Sequence, residues 1–463
     1  MCHFPFSSRA PKLARNACHD PRAKLVPVID YGYGHRPLAA IALTYGRWAN
    51  SSLTRAVEIA NLEITSRMKE DAMGVIVLGG GLMGSAATYF LTRRGLRVTL
   101  IERNRVGSGA TVASFGNIRR SGRHLTQLPL ANRSLELWAD AAEMLGRDVE
   151  FRPTGHLRLI FSEKGLAEMR SFAESARPWG FHLDELTPAE IRKCFPGLGP
   201  SAIGASYSPK DGSGNPRLIA PAFADAARRL GAEIVEEAYV SAIRKTSSGF
   251  EVDTSKGSYG AQCLLNAAGV WGAAIAEQFG EPVPIIARGP QMGVTEPLPH
   301  RIIPVVGVWG HDHGGGYLRQ VERGNIVFGG GAERTHVPID TGHAHADPAR
   351  LPGQLRSLLP ILPALANVSV IRTWSGCEGY VEDGLPVMGP SATTPGLFHA
   401  FGFSGHGFQL GPGVGDVMAE IIDTGKSEIP LHDFRPGRFS TTEHVPIASV
   451  DPKGLKLSRG IAS

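Results

Sequence analysis

The sequence predicts an α/β protein with a discontinuous Rossmann-like domain and a second, α+β domain whose sheet is mixed or antiparallel. The first observation is an apolar run at 75–78 that leads into a glycine turn, a helix and a second strand ending in an acid. The second is a strand-and-helix pattern that resumes near residue 213 after a long insertion. The third is a series of strand and turn signals between residues 284 and 334. Together these patterns favour two interlocked domains.

The glycine turn has the spacing of a dinucleotide-binding fingerprint. Gly79, Gly81 and Gly84 stand at G-x-G-x-x-G, and the acid Glu102 follows at the end of the next strand. Glycines at these positions permit a tight turn, close approach to a pyrophosphate and close packing of the helix. The helix N-terminus supplies free N–H groups for the phosphates. A carboxylate at 102 suits ribose hydroxyls and would repel the ribose phosphate of NADP, so the pattern argues against NADP.

Composition bounds the class of protein. The chain has 463 residues, 42% of them hydrophobic, which is enough for a large core. Its longest apolar stretches, such as residues 38–43, fall far short of the roughly 20 residues of a membrane helix, so we expect no membrane span and no secretory leader. Five cysteines without a C-x-x-C pair fit a reducing compartment. We therefore expect a cytoplasmic protein without a metal site.

The net charge of +5 does not indicate a nucleic-acid binder. Residues 1–72 hold 10 Lys and Arg against 6 Asp and Glu, which leaves 38 against 37 in the rest of the chain. A nucleic-acid-binding domain carries a concentrated basic face, which a nearly neutral body does not favour. We expect no nucleic-acid partner.

The atypical N-terminal extension, residues 1–72, precedes the first strand and lacks sustained periodicity. It is interpreted as a disordered extension, a basic targeting segment, or upstream sequence translated from a misassigned start. We favour the last, with Met68 or Met73 as the first residue. The predicted nucleotide-binding domain comprises residues 73–150, 213–283 and 372–437, the substrate domain residues 151–212 and 284–371, and the C-terminal tail residues 438–463.

Several individual elements follow from local patterns. Residues 128–146 are amphipathic, and residues 155–161 alternate as a strand does. A helix is expected from Asn215 to Leu230, with Gly231 ending it, and a strand is expected to end at Val240. A C-terminal helix is predicted over residues 411–422, after a glycine-rich turn.

Four blocks in order make the chain similar to the FAD-dependent amino acid oxidase superfamily, which includes D-amino acid oxidase, glycine oxidase and sarcosine oxidase. They are the fingerprint over residues 79–102, a small-residue loop over 107–117, Asn-Ala-Ala-Gly-Val-Trp at 266–271, and the segment 374–409. The overall pattern most resembles the β-type subunits of opine, hydroxyproline and sarcosine oxidising complexes. The resemblance implies FAD as the cofactor.

Backbone that lies close to a flat aromatic ring must lack large side chains, which accounts for the many small residues in these blocks. The helix after the last block would direct its positive end toward the flavin. Val240 would offer main-chain groups to adenine by resemblance, although an isolated valine is often only a core residue. The expected cofactor-binding residues are Gly79, Gly81, Leu82, Met83, Gly84, Glu102, Arg103, Gly109, Ala110, Thr111, Gly116, Asn117, Val240, Ala268, Gly269, Trp271, Gly405, His406, Gly407, Phe408 and Gln409.

The candidates for the substrate side are Tyr317, Arg319, His406 and Glu378. The chain departs here from its relatives: Gly376-Cys377-Glu378-Gly379 replaces Gly-Leu-Arg-Pro of glycine-oxidase-like chains, and Gln409 replaces the lysine of sarcosine oxidase. Glu378 is interpreted as a ligand for a cationic substrate group or as a structural acid paired with an arginine.

The same substitutions leave open how a substrate carboxylate is bound. Replacement cations are available in Arg119, Arg120, Arg123 and Arg319, each of which is also compatible with a surface role. Cys377 is interpreted as a buried thiol and not as a site of covalent flavin attachment.

The implied activity is transfer of a hydride from the carbon beside an amine to flavin N5, giving an imine that water hydrolyses. The expected substrate is a D-amino acid, or a secondary or N-substituted amino acid such as an opine or imino acid. One alternative is a component of a hetero-oligomer whose partners transfer electrons, which would place the chain at a membrane through those partners. Another is a flavin-binding protein without turnover.

Overall fold

The computed structural model describes residues 73–299, 302, 304–310, 312–331 and 334–439. The predictions for residues 1–72 and for the tail beyond residue 439 lie outside the described residues. Among the described residues, no helix is long and apolar enough to cross a membrane.

The described residues form ten α-helices and twenty-two β-strands. The helices, in chain order, are α1 Leu82–Arg93, α2 Ala110–Ala113, α3 Leu128–Ala139, α4 Ala141–Leu145, α5 Glu163–Ala176, α6 Pro188–Cys194, α7 Ile219–Arg229, α8 Gly272–Gln278, α9 Leu351–Leu358 and α10 Gly407–Thr424. The strands are β1 Gly74–Leu78, β2 Arg97–Ile101, β3 Asn117–Ile118, β4 His156–Ile160, β5 Asp184–Leu186, β6 Gly204–Ser208, β7 Gly212–Ser213, β8 Glu233–Val235, β9 Val240–Thr246, β10 Gly249–Thr254, β11 Gly257–Ala261, β12 Cys263–Asn266, β13 Ile285–Gly289, β14 Gln291–Pro297, β15 Val305–Val308, β16 Tyr317–Gln320, β17 Asn325–Gly329, β18 Thr335–His336, β19 Val370–Ser375, β20 Glu378–Val381, β21 Val387–Pro390 and β22 Leu397–Phe401.

A six-stranded sheet carries the predicted nucleotide-binding segments. Its order is β21-β22-β12-β1-β2-β8, with β22, β12, β1, β2 and β8 parallel and β21 antiparallel. Strand β1 is buried on both faces: Val75 and Val77 pack with the helices, and Ile76 and Leu78 pack with the small sheet β11-β10-β9. A strand covered on both faces reads as a continuous apolar run, as this one does.

The second large sheet has eight strands, in the order β19-β14-β17-β16-β15-β4-β6-β5. Its pairs are antiparallel apart from β15 and β4, which run parallel. Two further small sheets are β18-β13-β20 and β3-β7. The predicted α/β fold class, with a mixed second sheet, is confirmed; the domain boundaries stay a prediction.

Helix α10 packs unusually close to α1 and α3 because glycines line its contact surface. A Cβ at Gly411 would overlap the side chain of Leu82, and one at Gly415 would lie 2.5 Å from the Cβ of Ala86. A Cβ at Gly413 would lie 2.8 Å from the Cβ of Ser134. Tertiary packing thus compensates for the poor helix propensity of glycine.

Pro412 interrupts the hydrogen-bond ladder of α10, and α3 repairs the interruption. The Oγ of Ser134 donates to Gln409 O at 2.5 Å and accepts the N–H of Gly413 at 3.1 Å. The Nε1–H of Trp138 also donates to Gln409 O, at 2.9 Å. Side chains of α3 therefore satisfy groups that an uninterrupted helix would pair internally.

Replacing Ser134 by alanine is expected to lower the free energy of unfolding by about 1–3 kcal/mol, because it leaves buried backbone groups unsatisfied. Denaturant unfolding followed by circular dichroism would measure the loss. Ser171→Ala on the exposed face of α5 is the control and is expected to change stability by less than about 0.5 kcal/mol. Equal stability of the two variants would contradict the bridging role of Ser134.

Three sequence-based boundaries were wrong. Helix α7 begins at Ile219 and not at Asn215, because the Oδ1 of Asn215 accepts the N–H of Arg217 at 3.0 Å and forms a turn. Helix α10 begins at Gly407 and not at Gly411. Val240 begins a strand instead of ending one, since the chain turns at Glu237, whose φ is 54°.

Candidate cofactor and active site

A cavity of about 510 Å³ lies at the carboxyl ends of β1, β2 and β12. This edge of a parallel sheet is where ligands bind in open α/β folds. Most of the predicted cofactor-binding residues line it, together with one predicted substrate-side residue, Glu378. Those lining residues are Gly79, Gly81, Leu82, Met83, Glu102, Arg103, Gly109, Ala110, Thr111, Val240, Ala268, Gly269, Trp271, Glu378, Gly405, Gly407 and Phe408.

The three fingerprint glycines are required for different reasons. Gly79 has a φ of +101°, and a Cβ there would lie 2.5 Å from Ala267 O. A Cβ at Gly84, which does not line the cavity, would overlap Gly79 O, so this glycine permits close packing of α1 on the turn. A Cβ at Gly81 would meet only Thr111 Oγ1, at 3.6 Å. Gly81 is therefore the position where space is kept for a ligand and not for the protein.

Glu102 connects the end of β2 to the glycine turn. Its Oε2 accepts the N–H of Gly80 at 2.6 Å, and its Oε1 accepts the N–H of Asn104 at 2.7 Å. Because a carboxylate has about four acceptor sites, lone pairs remain for ligand hydroxyls. The carboxylate is thus held in place by the backbone on the wall of the cavity.

Arg103 and Trp271 form a flat part of the cavity wall. The guanidinium of Arg103 lies 4.0 Å from the centre of the Trp271 ring, and the Nε1–H of Trp271 donates to Ile339 O at 2.7 Å. This stacked pair is fixed by a cation–π contact and by a hydrogen bond.

The first turn of α10 also faces the cavity. Gly405, Gly407 and Phe408 line it, and His406 is the N-cap residue of this 18-residue helix. The first N–H groups of a helix lack internal partners and carry its positive dipole end. This part of the cavity wall is therefore suited to a ligand that becomes negatively charged.

The arrangement fits FAD. The bare turn suits its pyrophosphate, Glu102 suits its ribose hydroxyls, and the start of α10 suits its flavin ring, which becomes anionic on reduction. Fold and cavity together define a dinucleotide-binding oxidoreductase of the flavin-dependent class.

The chain belongs to the DAO family, described as FAD dependent oxidoreductase, whose family model matches residues 74–421. It is 28% identical over 404 residues to human sarcosine dehydrogenase, covering 82% of this chain and 43% of that protein. It is 27% identical to an opine oxidase subunit of Rhizobium meliloti, covering 79% of this chain and 98% of that one. The crystal structure of L-proline dehydrogenase from P. horikoshii matches with a TM-score of 0.75 and 30% identity, covering 80% of this chain and 98% of that chain.

The resemblance and the FAD cofactor predicted from the sequence are thereby confirmed. The chain spans less than half of the length of the sarcosine dehydrogenase that it matches, 43%.

Six predicted site residues lie outside the cavity lining besides Gly84: Gly116, Asn117, Tyr317, Arg319, His406 and Gln409. The side chain of Gln409 is buried and donates to Ala131 O at 2.8 Å, so it points toward α3. The carbonyl oxygen of His406 accepts hydrogen bonds from the guanidinium of Arg123 at 3.3 and 3.4 Å. The contacts of Gln409 with α3 and of His406 with Arg123 thus stabilise the turn that leads into α10.

Arg319 and Tyr317 of β16 both contact Phe115 of the small-residue loop over residues 107–117. The Nε–H of Arg319 donates to Phe115 O at 2.9 Å, and the rings of Tyr317 and Phe115 meet edge to face at 4.8 Å. Burial lowers the pKa of Arg319 to about 10, so its guanidinium is charged at neutral pH. Arg319 thereby anchors the loop that precedes β3.

Burial raises the pKa of Tyr317 to about 12, so its phenol is a hydrogen-bond donor and not a base at neutral pH. An unfolded tyrosine ionises near pH 10, so stability present below pH 10 is expected to be lost as the pH rises to 12. The interval between 10.0 and about 12 corresponds to at most about 2.7 kcal/mol. Tyr317→Phe is expected to lose less stability across this range in urea unfolding.

Tyr239→Phe is the control for that experiment, since Tyr239 is 62% exposed. We expect its pH dependence to follow that of the unmodified chain. If Tyr317→Phe also follows that curve, the phenol does not titrate as its burial predicts.

Glu378 and Cys377 lie side by side on the cavity wall. The Tyr380 hydroxyl donates to the Oε2 of Glu378 at 2.5 Å, and burial raises the pKa of Tyr380, which keeps this donor protonated. Burial, with the charge of Glu378, raises the pKa of the Cys377 thiol to about 11. These contacts pair Glu378 with a phenol. They do not decide whether Glu378 binds a cationic substrate group or is a structural acid paired with an arginine.

All four predicted replacement cations already donate hydrogen bonds within the protein, Arg319 to Phe115 O and Arg119, through Nη1, to Ser121 O. Arg120 donates to Asp211 through its backbone N–H and its Nε–H, both at 2.9 Å. Arg123 donates to Arg119 O at 2.7 Å.

The sequence analysis did not identify His156 and Arg158, which lie buried on β4 beside the loop that follows β3. The available signal was two polar residues alternating with leucines in the strand predicted over residues 155–161.

Proposed function

We propose that this chain oxidises the C–N bond of an amino acid or N-substituted amino acid, with FAD as the acceptor. The observation that carries the proposal is one cavity whose wall includes the glycine turn and Glu102 together with the start of α10 and Glu378. A dinucleotide held along its length would bring its flavin beside a carboxylate able to bind an amine.

Bound FAD would supply the hydride acceptor. The protein's own groups bind and orient the substrate. The Glu378 carboxylate accepts an N–H of the amine. The Tyr380 hydroxyl donates to one oxygen of that carboxylate and so fixes the orientation of the carboxylate. The amine loses a proton to solvent and a hydride from the adjacent carbon, and water then hydrolyses the imine product. Phe401 and Phe403 supply an apolar part of the wall, which limits the access of water.

The substrates named in the three relatives support this substrate class. Sarcosine, opines and proline each contain a secondary amine and a carboxylate. We propose that the substrate of this chain shares the carboxylate and carries a primary or secondary amine.

Anaerobic bleaching of the FAD-loaded protein tests the reaction. We expect the flavin absorbance to fall with at least one of sarcosine, proline, hydroxyproline, an opine or a D-amino acid. The 2-hydroxy acids of matched size serve as controls and should leave the spectrum unchanged. Bleaching by 2-hydroxy acids and by no amine would refute the proposed reaction class.

A second candidate function is that of an electron-transferring component in a hetero-oligomer. It is favoured by the similarity to the opine oxidase subunit over 98% of the length of that protein. If it holds, the reduced protein is expected to be reoxidised rapidly by a soluble artificial acceptor and slowly by oxygen. Rapid reoxidation by oxygen would favour an independent oxidase.

Replacing Glu378 by glutamine tests the amine ligand. Glutamine keeps an oxygen for the Tyr380 hydroxyl but removes the charge, so we expect KM to rise about tenfold with FAD still bound. Steady-state kinetics and the visible spectrum measure the two effects. Glu382→Gln, at an exposed position just beyond β20, is the matched control. An unchanged KM in Glu378→Gln would remove this residue from substrate binding.

A further inference from the structure

The ends of two parallel strands behind the cavity wall are joined by a buried side-chain contact. Asn266, the last residue of β12, pairs in register with His399 of the neighbouring strand β22. Both residues are fully buried, and neither lines the cavity. The residues that follow them, 267–271 and 400–402, do line it. The contact therefore lies directly behind two segments of the wall.

Two backbone groups fix the orientation of the Asn266 amide. Its Nδ2 group donates to Gly272 O at 2.8 Å, and its Oδ1 accepts the N–H of Ala268 at 3.4 Å. A carbonyl can only accept and a backbone N–H can only donate, so the amide cannot be reversed without losing both contacts. Nδ2 also lies 3.1 Å from Nδ1 of His399, and its second hydrogen is directed at that nitrogen.

The Asn266 amide in turn determines which nitrogen of His399 carries the proton. Nδ1 faces a donor and must accept, so the proton of the ring is on Nε2. Nε2 lies 3.1 Å from the Oε2 of Glu281, whose side chain is 2% exposed, and it donates to that oxygen. Glu281, His399 and Asn266 thus form a buried relay in which each hydrogen bond has a fixed direction.

Glu281 connects the buried relay to the turn between β21 and β22. Its Oε1 accepts the N–H of Ala392 at 2.7 Å. Burial raises the pKa of Glu281, but hydrogen bonds with His399, Ser391 and the N–H of Ala392 outweigh burial, so the pKa lies below its ordinary value. The carboxylate is therefore charged at neutral pH, and each of its two oxygens has a donor.

The wall segment that follows Asn266 is packed tightly at both ends. At its start, a Cβ at Gly79 of the fingerprint turn would lie 2.5 Å from Ala267 O. Just beyond its end, a Cβ at Gly272 would lie 2.6 Å from Cγ of Phe401, which follows β22 residue 400 on the wall. A change at Asn266 therefore disturbs the fingerprint turn and the end of β22 together.

We propose that Glu281 and His399 are positioning residues for the cofactor, which act through Asn266 to hold the wall segment 267–271 in the geometry that binds FAD. The effect is transmitted by the position of one proton. When residue 281 cannot accept from Nε2, the ring of His399 carries its proton on Nδ1, which then opposes the Asn266 donor. The amide must reverse or move away, and its two backbone partners lose their hydrogen bonds.

Replacing Glu281 by glutamine tests the buried relay with little change of shape. The N–H of Ala392 can only donate and keeps the single amide oxygen, so the NH₂ group faces His399. We expect the dissociation constant of FAD, measured by flavin fluorescence quenching on the apoprotein, to rise about tenfold. Thr295→Val is the control, since its fully buried hydroxyl accepts the N–H of Ile326 at 3.1 Å in the eight-stranded sheet. The control should lower the melting temperature without changing FAD affinity.

A double-mutant cycle separates the buried relay from a general loss of stability. In a His399→Leu background the ring is absent, so Glu281→Gln is expected to change FAD affinity by less than about twofold. Asn266→Ala is the second background if His399→Leu does not fold, because it removes the amide that the ring contacts. Unchanged FAD affinity in Glu281→Gln alone, or an equal loss in both backgrounds, overturns the proposal. An equal loss in Thr295→Val also does so.

The position of the proton is measured in the unmodified, FAD-loaded protein. Nitrogen NMR with labelled histidine distinguishes a ring protonated on Nε2 from one protonated on Nδ1. Among the 16 histidines, the signal of His399 is the one that is absent from His399→Leu or, failing that, altered by Glu281→Gln. We expect the proton on Nε2, and on Nδ1 in Glu281→Gln; a proton on Nδ1 in the unmodified protein overturns the relay. Neither readout requires turnover, so a failure of the proposed reaction leaves this test intact.

Discussion

Replacing Gly81 by alanine is expected to weaken FAD binding strongly while leaving the fold intact. Gly81 has φ −67° and ψ −175°, which any residue can adopt, and its added Cβ would meet only Thr111 Oγ1, at 3.6 Å. The protein therefore accommodates the methyl group, but the methyl occupies the wall where main chain approaches a pyrophosphate. We expect FAD affinity to fall at least about 100-fold, equivalent to about 2.7 kcal/mol.

Two other glycines make the experiment specific. Gly84→Ala is expected to lower the melting temperature itself, since its Cβ overlaps Gly79 O. Gly353→Ala in α9 is the control without a steric effect, because the nearest atom to its Cβ is Gly331 O at 4.0 Å; it should leave FAD affinity unchanged and should not lower the melting temperature. FAD titration of the apoprotein and thermal melts separate binding from folding. Normal FAD affinity in Gly81→Ala would mean that the pyrophosphate does not approach this turn.

Replacing Glu102 by glutamine is expected to weaken FAD binding about 100-fold and to loosen the turn. Both carboxylate oxygens accept backbone N–H groups, at 2.6 Å from Gly80 and 2.7 Å from Asn104. An amide presents one oxygen and one NH₂ group, so one of these N–H groups would face another donor. The ribose hydroxyls would also lose an anionic acceptor.

Glu236→Gln provides the matched control for Glu102→Gln. Its carboxylate accepts the N–H of Val106 at 2.8 Å in the same loop, but it does not line the cavity. We expect it to lower stability without changing the FAD dissociation constant, measured by flavin fluorescence quenching. If both variants lose FAD affinity equally, the effect of Glu102 is on the loop and not on the ribose.

The part of the site that the sequence predicted well is the part that is local in the chain. Gly79, Gly84 and Glu102 belong to one strand-turn-helix-strand unit, so spacing alone indicates which groups meet. The participation of Trp271 and Gly405 came from the family resemblance, since nothing local indicates that they approach the same cavity.

The remaining features depend on packing between distant segments. The early start of α10 follows from glycines that fit against α1 and α3, whereas glycine in isolation predicts a loop. Arg158 meets Arg119 because β4 pairs with β6 while the loop near Gly122 crosses them. Neither contact has a periodic signature, because each joins segments that are far apart in the sequence.

The repair of helix α10 by Ser134 and Trp138 has a consequence for the flavin. The carbonyl of Gln409 is two residues from Gly407 on the cavity wall, and both of its hydrogen-bond donors come from α3. The orientation of the positive helix end beneath the cofactor is thus set by a neighbouring helix. Substitutions in α3, a helix that does not line the FAD cavity, are therefore expected to change the absorbance spectrum and the reduction potential of the bound flavin.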